Sequence, residues 1–242
     1  MSEKVKAYMN WSGGKDSSLS LWKVLKDEAF EVNAMLTTMN AAHDRVSMHG
    51  VRRDLLMKQS ESIGLELYTI ELPETPTMVE YEKEMLSKVI SLKERGFKAA
   101  IFGDIFLEDL KIYREEKLSQ AGIDCVFPLW KEPTDKLMEE FLRAGFKCVV
   151  VCVNEAYLDK SFCGRVIDDS FIRDLPANVD ICGENGEYHT FVFDGPVFKY
   201  PINFRKGEIV RRTYASPKTN SNDNCPTETA STYGFYFCDL IP

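Results

Sequence analysis

The sequence predicts an α/β protein in which a doubly wound, mostly parallel sheet is followed by a smaller α+β part. Up to about position 127, short apolar runs alternate with amphipathic segments of ten or more residues, as βαβ units do. After about position 150 the pattern becomes rich in β-like runs. Of the 242 residues, 44% are hydrophobic, which is enough apolar material for two units. We predict these units at residues 1–128 and 129–242.

The first unit contains five predicted strands and four predicted helices. The strands are expected at residues 5–9, 32–38, 65–72, 98–102 and 123–127. The helices are expected at residues 17–26, 51–63, 78–95 and 107–120, where apolar residues recur at helical spacing. Gly64, Gly96 and Gly122 come just after three of these helices and are predicted to end them.

The second unit begins with one helix and then turns to strands. We expect a helix at residues 134–144, with Thr134 as its N-cap, and an apolar strand at 148–153. Further strands are expected at 188–194, 208–214 and 233–240, with a turn at Lys206 and Gly207. Residues 216–232 are rich in Ser, Thr, Asn and Pro, which predicts a mobile loop.

Composition narrows the class of protein. The net charge of −8 argues against a direct nucleic-acid partner, which needs a basic surface. No apolar run reaches the roughly 18 residues of a membrane span, and the first residues lack the apolar stretch of a signal peptide. Seven scattered cysteines without a CxxC pair indicate reduced thiols, with Cys148 and Cys152 as core residues. We therefore expect a cytoplasmic protein.

The motif SGGKDS at residues 12–17 follows the first predicted strand and opens the first helix. It is not a Walker A motif, since Met9 and Asp16 stand where that motif needs glycine and Ser or Thr. Its chemistry is nevertheless that of an anion site, because Gly13 and Gly14 free backbone N–H groups and a helix N-terminus points at the same place. Lys15 adds a positive charge. Asp16 would repel a bare phosphate, which suggests a Mg²⁺ ion shared with it.

The same motif resembles the PP-loop of the ATP pyrophosphatase superfamily, whose fold is HUP-like. Further stretches are similar to the diphthine–ammonia ligase family, and the resemblance covers nearly the whole chain outside residues 216–232. These stretches are FGDIFLEDLKIYREEKL (102–118), FPLW (127–130), GRVIDDSFIRDLP (164–176) and CGENGEYHTFVFDGPVF (182–198). In that family ATP activates the carboxylate of diphthine, a modified histidine of translation elongation factor 2, and ammonia then displaces AMP.

The resemblance implies a set of site residues. It implies catalytic roles for Lys15, Asp16 and Glu187, with Asp16 also binding Mg²⁺ through ATP. Residues implied for ATP binding are Ser12, Gly13, Gly14, Lys15, Asp16, Ser17, Gly103 and Asp104. Residues implied for the acceptor or ammonia are Glu184, Asn185, Glu187 and His189.

The segment from Glu184 to Thr190 departs from the GGEYET of the archaeal and eukaryotic enzymes and looks like the bacterial branch, GENGEYHT. Bacteria are not expected to make diphthamide, so the resemblance implies the ATP chemistry more strongly than the acceptor. Strand alternation predicts that Glu187 and His189 share one face, roughly 6.5 to 7 Å apart. Either side chain could then act as a base beside ammonia.

These features predict an AMP-forming amide ligase that adenylates an acceptor carboxylate and aminates it with ammonia, using ATP and Mg²⁺. The acceptor is either protein-borne diphthine or a small molecule. One alternative is a PP-loop adenylating enzyme or an adenine nucleotide α-hydrolase with another small-molecule acceptor. The other is a nucleotide-binding sensor without turnover. A homo-oligomer is compatible with the sequence.

Overall fold

The computed structural model describes residues 3–215 and 232–242. The first half of the chain forms a six-stranded sheet with four helices. The strands are β1 (Val5–Asn10), β2 (Phe30–Asn40), β3 (Arg45–Val46), β4 (Glu66–Leu72), β5 (Ala99–Ile101) and β6 (Asp124–Val126). The helices are α1 (Lys15–Leu25), α2 (Arg53–Ile63), α3 (Met78–Glu94) and α4 (Glu108–Gln120).

The order of the strands creates a binding crevice at β1. Strands β4, β2, β1, β5 and β6 lie side by side and run parallel, while short β3 pairs antiparallel with the end of β2. The chain moves outward from β1 through β2 to β4, then returns to the other side of β1 with β5. Ligands of such sheets bind at the carboxyl ends of the strands where the order reverses. The predicted α/β fold class is confirmed.

Strand β1 shows why this sheet is covered on both faces. Ala7 and Met9 lie in the core that also contains the second half of the chain, whereas Tyr8 points into a separate core beneath α3 and α4. All three side chains are buried, as expected for a central parallel strand. Consecutive residues of a strand face opposite sides, so one strand supplies both cores.

The second half forms a four-stranded antiparallel sheet in the order β8-β7-β10-β9. Its strands are β7 (Lys147–Asn154), β8 (Tyr188–Asp194), β9 (Arg205–Ala215) and β10 (Thr232–Ile241), and its helices are α5 (Thr134–Arg143) and α6 (Asp169–Asp174). Residues 160–162 form a 3-10 helix. As predicted, Cys148 and Cys152 are buried in β7. The core beneath this sheet continues into the core of the first sheet. The division at residues 128 and 129 stays a prediction.

The predictions of a turn at Lys206 and Gly207 and of Thr134 as a helix cap are wrong. Lys206 and Gly207 lie within β9 and not in a turn, because Lys206 pairs with Leu240 of β10. The register shifts beside Gly207, which indicates that the glycine accommodates an irregularity of the ladder. Thr134 is not the N-cap of α5; Pro133 occupies that position, and the Thr134 hydroxyl donates to Asp180 Oδ2 at 2.7 Å.

Several short elements had no periodic signal long enough to predict them: β3, α6 and the 3-10 helix. The loop predicted at 216–232 lies outside the described residues, apart from Thr232, which begins β10. Across residues 3–215 and 232–242, every helix falls short of the length and apolar character that crossing a membrane requires.

Candidate functional site

The SGGKDS loop connects the carboxyl end of β1 to the first turn of α1. Gly13 has a φ of 78°, a backbone conformation that favours glycine. The helix begins at Lys15, so the positive end of its dipole lies at the loop. The hydroxyls of Ser17 and Ser18 donate to the Gly14 carbonyl at 3.0 and 2.9 Å. These bonds fix a loop whose backbone and helix terminus suit an anion.

Strand β8 of the second sheet holds this loop in place. The Lys15 N–H donates to the Thr190 hydroxyl at 3.0 Å, and the Val192 N–H donates to the Gly13 carbonyl at 2.9 Å. The amide of Gln59, from α2, donates to the carbonyls of Gly13 at 3.0 Å and of Val192 at 2.6 Å. Two distant parts of the chain therefore set the conformation of the loop.

Gln59 and Thr190 were not among the predicted site residues. Gln59 is completely buried, and its carbonyl accepts from the Trp11 indole at 2.9 Å. One signal could have found it: it lies on the same helix face as Leu55 and Leu56, where an uncharged polar residue is out of place without a partner. Thr190 lies inside the quoted GENGEYHT segment, but its partner is 175 positions away.

The loop opens into a cavity of about 870 Å³, which we call the main cavity. The carboxyl ends of β1, β2 and β5 form one side of it, and residues 182–190 of the second half form the other, apart from Glu187. Its volume is in the range of small-molecule sites. Of the predicted site residues, it brings together Ser12, Lys15, Asp16, Gly103, Asp104, Glu184, Asn185 and His189.

Gly103 lies where β5 meets the first turn of α1. A Cβ at this position would lie 3.0 Å from both the carbonyl carbon of Asp16 and the amide nitrogen of Ser17. Such a contact would force the backbone apart, so only glycine fits here without displacing α1. The adjacent Asp104 carboxylate accepts from Arg114 of α4 at 3.1 Å. Desolvation by burial is the main cause that raises the pKa of Asp104.

Lys15 is the cation of the site. Its ammonium group lies 2.7 and 2.8 Å from the two carboxylate oxygens of Asp16 and 3.9 Å from Glu184. Burial lowers the pKa of Lys15, but nearby negative charge, above all that of Asp16, outweighs this effect, so the pKa lies well above its usual value. Lys15 therefore stays charged at neutral pH and can bind a phosphate oxygen.

Glu184 is the carboxylate of the site whose proton is most easily exchanged near neutral pH. Burial, followed by the negative charge of Asp16, raises its pKa to about 8, although Lys15 acts in the opposite direction. A base or acid works best when its pKa lies near the working pH. Glu184 faces the main cavity, so it can exchange a proton with a small molecule held there.

Glu187 does not share a face with His189, contrary to the prediction from alternation. It precedes β8, in a turn with Gly186 at a φ of 81°, so the strand pattern does not extend to it. Its side chain is completely buried. Its carboxylate accepts from the N–H groups of Asp180 at 2.9 Å and Asn185 at 2.8 Å, and from the Asn185 side chain at 3.0 Å. These bonds shape the loop that carries Glu184.

His189 reaches the main cavity and contacts a second histidine. Its ring lies 4.7 Å from the ring of His49, centroid to centroid. Burial, followed by the charges of His49 and Lys15, lowers the pKa of His189 to about 3. Burial also lowers the pKa of His49, whose Nδ1 lies 3.3 Å from the Thr190 carbonyl. Both rings are therefore neutral at pH 7, which suits hydrogen bonding more than proton transfer.

The residues of the site fit a metal ion that is shared with phosphates. Asp16 lies in the SGGKDS loop and lines the main cavity. No group of three or more His, Cys, Asp or Glu side chains is arranged to hold a metal within residues 3–215 and 232–242. Mg²⁺ is usually bound by one or two carboxylates together with substrate phosphates, and Asp16 offers such a carboxylate.

Two domain models of one family match this chain. Residues 5–124 match the diphthamide synthase N-terminal domain, and residues 133–216 match the diphthamide synthase C-terminal domain. The chain is 26% identical to the diphthine–ammonia ligases of Bos taurus and Homo sapiens over 224 residues, covering 82% of each chain. It is 23% identical to the diphthine–ammonia ligase of Schizosaccharomyces pombe over 226 residues, which are 84% of this chain and only 36% of that protein.

A solved structure with partial similarity is the U34-tRNA thiolase NcsA from Methanococcus maripaludis with its [4Fe-4S] cluster. The alignment covers 59% of this chain and 58% of the thiolase, with 18% sequence identity and a TM-score of 0.39.

Proposed function

This chain belongs to the diphthamide synthase family, and on that premise we propose that it is an ATP-dependent amide ligase that forms AMP and pyrophosphate. It adenylates an acceptor carboxylate and aminates it with ammonia. The observation that carries this proposal is the main cavity, because the SGGKDS loop and the Glu184 segment line the same space. Nucleotide phosphates and an acceptor can therefore meet there.

In the first step, an oxygen of the acceptor carboxylate attacks the α-phosphorus of ATP and the bond to the bridging oxygen breaks. Pyrophosphate leaves, and negative charge builds on it. The Lys15 ammonium and the positive end of α1 stabilise that charge, since contacts with Thr190 and Val192 hold the SGGKDS loop in place before the reaction begins. Asp16 would hold a Mg²⁺ ion together with phosphate oxygens, and the ion would neutralise further negative charge.

In the second step, the nitrogen of ammonia attacks the acyl carbon of the adenylate and AMP leaves. The attacking nitrogen must lose a proton. We assign this proton to Glu184, whose pKa of about 8 matches the task and whose carboxylate faces the cavity. His189 and Asn185 stay in the proposal as neutral groups that position the acceptor or ammonia. Glu187 shapes the loop and does not line the cavity.

The acceptor is a carboxylate, borne by a protein as diphthine or by a small molecule. The relatives are named for diphthine and ammonia, which supports the amidating reaction over a sensor without turnover. We place the ligase in the cytoplasm, where ATP and ammonium are available.

The products of ATP test the class of enzyme. With ATP, Mg²⁺, ammonium and a panel of carboxylates, we expect AMP and pyrophosphate in equal amounts. Lys15→Ala should reduce their formation by about 10² to 10³-fold, the usual effect of removing one such charge-stabilising group. The matched control is Lys136→Ala, an exposed lysine of α5, which should retain wild-type turnover. ADP with phosphate would overturn the class, and ATP binding without any cleavage would favour the sensor.

A further inference from the structure

A second cavity, which we call the side cavity, lies between α3 and α4 and has a volume of about 160 Å³. Tyr81, Met85, Phe102, Leu110 and Arg114 line both this cavity and the main cavity. The two cavities therefore meet at these residues, on the side of the main cavity formed by α3 and α4.

The wall of the side cavity is mostly apolar. Val89 and Leu118, both buried, line it together with Tyr81, Met85 and Phe102. Glu82 and Lys117, which pair with each other at 2.8 Å, add charged groups to the wall. An apolar cavity of roughly 150 Å³ is known to accept benzene. The side cavity is therefore large enough for a phenyl ring or a branched aliphatic group.

Arg114, one of the shared residues, and Asp104, which lines the main cavity, carry polar atoms without partners among the described residues. Asp104 Oδ2 and Arg114 Nε are buried and have no hydrogen-bond partner among the described residues, although Asp104 Oδ1 and Arg114 Nη2 bond to each other. The Asp104 side chain is only 10% exposed, and the Arg114 guanidinium lies 4.3 Å from the centre of the Phe102 ring. Buried polar groups normally find partners, so this pair indicates a ligand with one donor and one acceptor.

We propose that the side cavity is the specificity subsite for the acceptor of the ligase. The side cavity takes an apolar group of the acceptor, up to about the size of a phenyl ring. A polar group of the acceptor, such as an amide, lies nearer the reacting carboxylate, where it donates to Asp104 and accepts from Arg114. This rests on the proposed function, since it names the acceptor class of the same site: carboxylates with an amide and an apolar side group.

The adenine base of ATP is the other group of suitable size. It carries ring nitrogens and an amino group around its edge, and most of these would lose their hydrogen bonds in an apolar cavity. An acceptor side chain without polar atoms loses none. The mostly apolar wall therefore favours the acceptor side chain over adenine. The affinity of a variant with a filled side cavity for nucleotide distinguishes the two occupants.

Binding of matched probes tests the subsite without turnover. The protein is saturated with Mg²⁺ and α,β-methylene-ATP, which cannot be cut between the α- and β-phosphates. Affinities are then measured by calorimetry for N-acetylphenylalanine, for N-acetylalanine without the ring, and for 3-phenylpropionate without the amide. We expect N-acetylphenylalanine to bind about tenfold or more tightly than N-acetylalanine. Shifts of the Met85 methyl signal, assigned with Met85→Leu, report whether the ring enters between α3 and α4.

Filling the side cavity should remove this preference. Val89 lines the side cavity and not the main cavity, so Val89→Phe adds bulk only there. In this variant the two N-acetyl amino acids should bind within about threefold of each other, with unchanged affinity for α,β-methylene-ATP. Val89→Ala enlarges the cavity and should improve binding of N-acetyltryptophan, which keeps the test decisive if Val89→Phe does not fold. Val32→Ala, a buried valine of β2 that lines neither cavity, controls for lost packing.

Three results would overturn the subsite. The first is equal affinity of the wild type for the two N-acetyl amino acids, and the second is an unchanged preference in the folded Val89→Phe protein. The third is a loss of affinity for α,β-methylene-ATP in Val89→Phe as large as its loss of affinity for N-acetylphenylalanine. The last would identify the side cavity as the base site. Formation of AMP and pyrophosphate is measured separately, so failure of the subsite and failure of the ligase assignment give different results.

Discussion

Replacing Gln59 by methionine would remove the hydrogen bonds that fix the SGGKDS loop while keeping the length of the side chain. The amide donates to the carbonyls of Gly13 and Val192 and accepts from the Trp11 indole. Gly13 keeps one bond, from the Val192 N–H at 2.9 Å. The Trp11 N–H and the Val192 carbonyl lose their partner in a site that is completely buried.

The expected loss of stability follows from these two groups. Each buried polar group without a partner costs about 1–3 kcal/mol, so Gln59→Met should reduce the free energy of unfolding by about 2–6 kcal/mol. For a chain of this size that corresponds to a fall in Tm of about 4–24 °C. Since Gly13 loses one of its two bonds, the affinity for ATP should also fall, by about 2 to 10-fold at temperatures where the variant is folded.

Urea unfolding followed by circular dichroism measures the first effect, and calorimetric titration with ATP measures the second. Gln120→Met is the matched control, because Gln120 is exposed at the end of α4. It should unfold within about 0.5 kcal/mol of the wild type. A Gln59→Met protein as stable as this control would refute the reasoning that the amide holds the loop between the two sheets.

Three further predictions concern the site. If Glu184 takes the proton from the attacking nitrogen, kcat/KM at constant free ammonia should rise with pH up to about 8 and level off above it, where the carboxylate is ionised. Glu184→Gln should lose this dependence on pH. A pH profile of this variant that is unchanged from the wild type would exclude the role. Gly103→Ala should displace the first turn of α1 and weaken ATP binding by at least about tenfold. The control Gly145→Ala places nothing within 4 Å of its added Cβ and should cost only backbone strain. Equal ATP affinities of the two variants, measured by calorimetric titration, would contradict this prediction. Glu187→Gln should lower the free energy of unfolding by about 1–3 kcal/mol, because the new side-chain NH2 group would face backbone N–H donors that now bond to a carboxylate oxygen. A variant with wild-type stability and reduced turnover would instead support the catalytic role predicted from the sequence.

Much of the first sheet follows from local sequence. The alternation of apolar runs and amphipathic segments is repeated often enough to define five strands and four helices. Gly64, at a φ of 85°, ends α2 as predicted, because glycine adopts this conformation without a steric penalty. The position of the SGGKDS motif at the carboxyl end of β1 was also predictable, since it needs only the order of the elements along the chain.

The second half was harder to predict for a physical reason. Its strands pair antiparallel with partners far away in the sequence. A pairing such as Lys206 with Leu240 does not change the pattern of the residues next to Lys206, so it cannot be predicted from them. Without that information, Lys206 and Gly207 looked like a turn. The alternation from Glu187 to His189 failed for a related reason: periodicity does not reveal where a strand begins, and here it begins at Tyr188.

The sequence by itself determined the fold class and the family resemblance, and it predicted the anion-binding chemistry of Ser12 to Ser17, because these depend on residues close together in the chain. Only the tertiary structure decided which side chains meet that loop. Gln59 and Thr190 reach it from 46 and 175 positions away. Glu184 acquires its raised pKa from burial beside Asp16, and Glu187 turns inward to hold the loop around it. Burial and long-range contact change the chemistry of a residue, and neither can be seen in its neighbours along the chain.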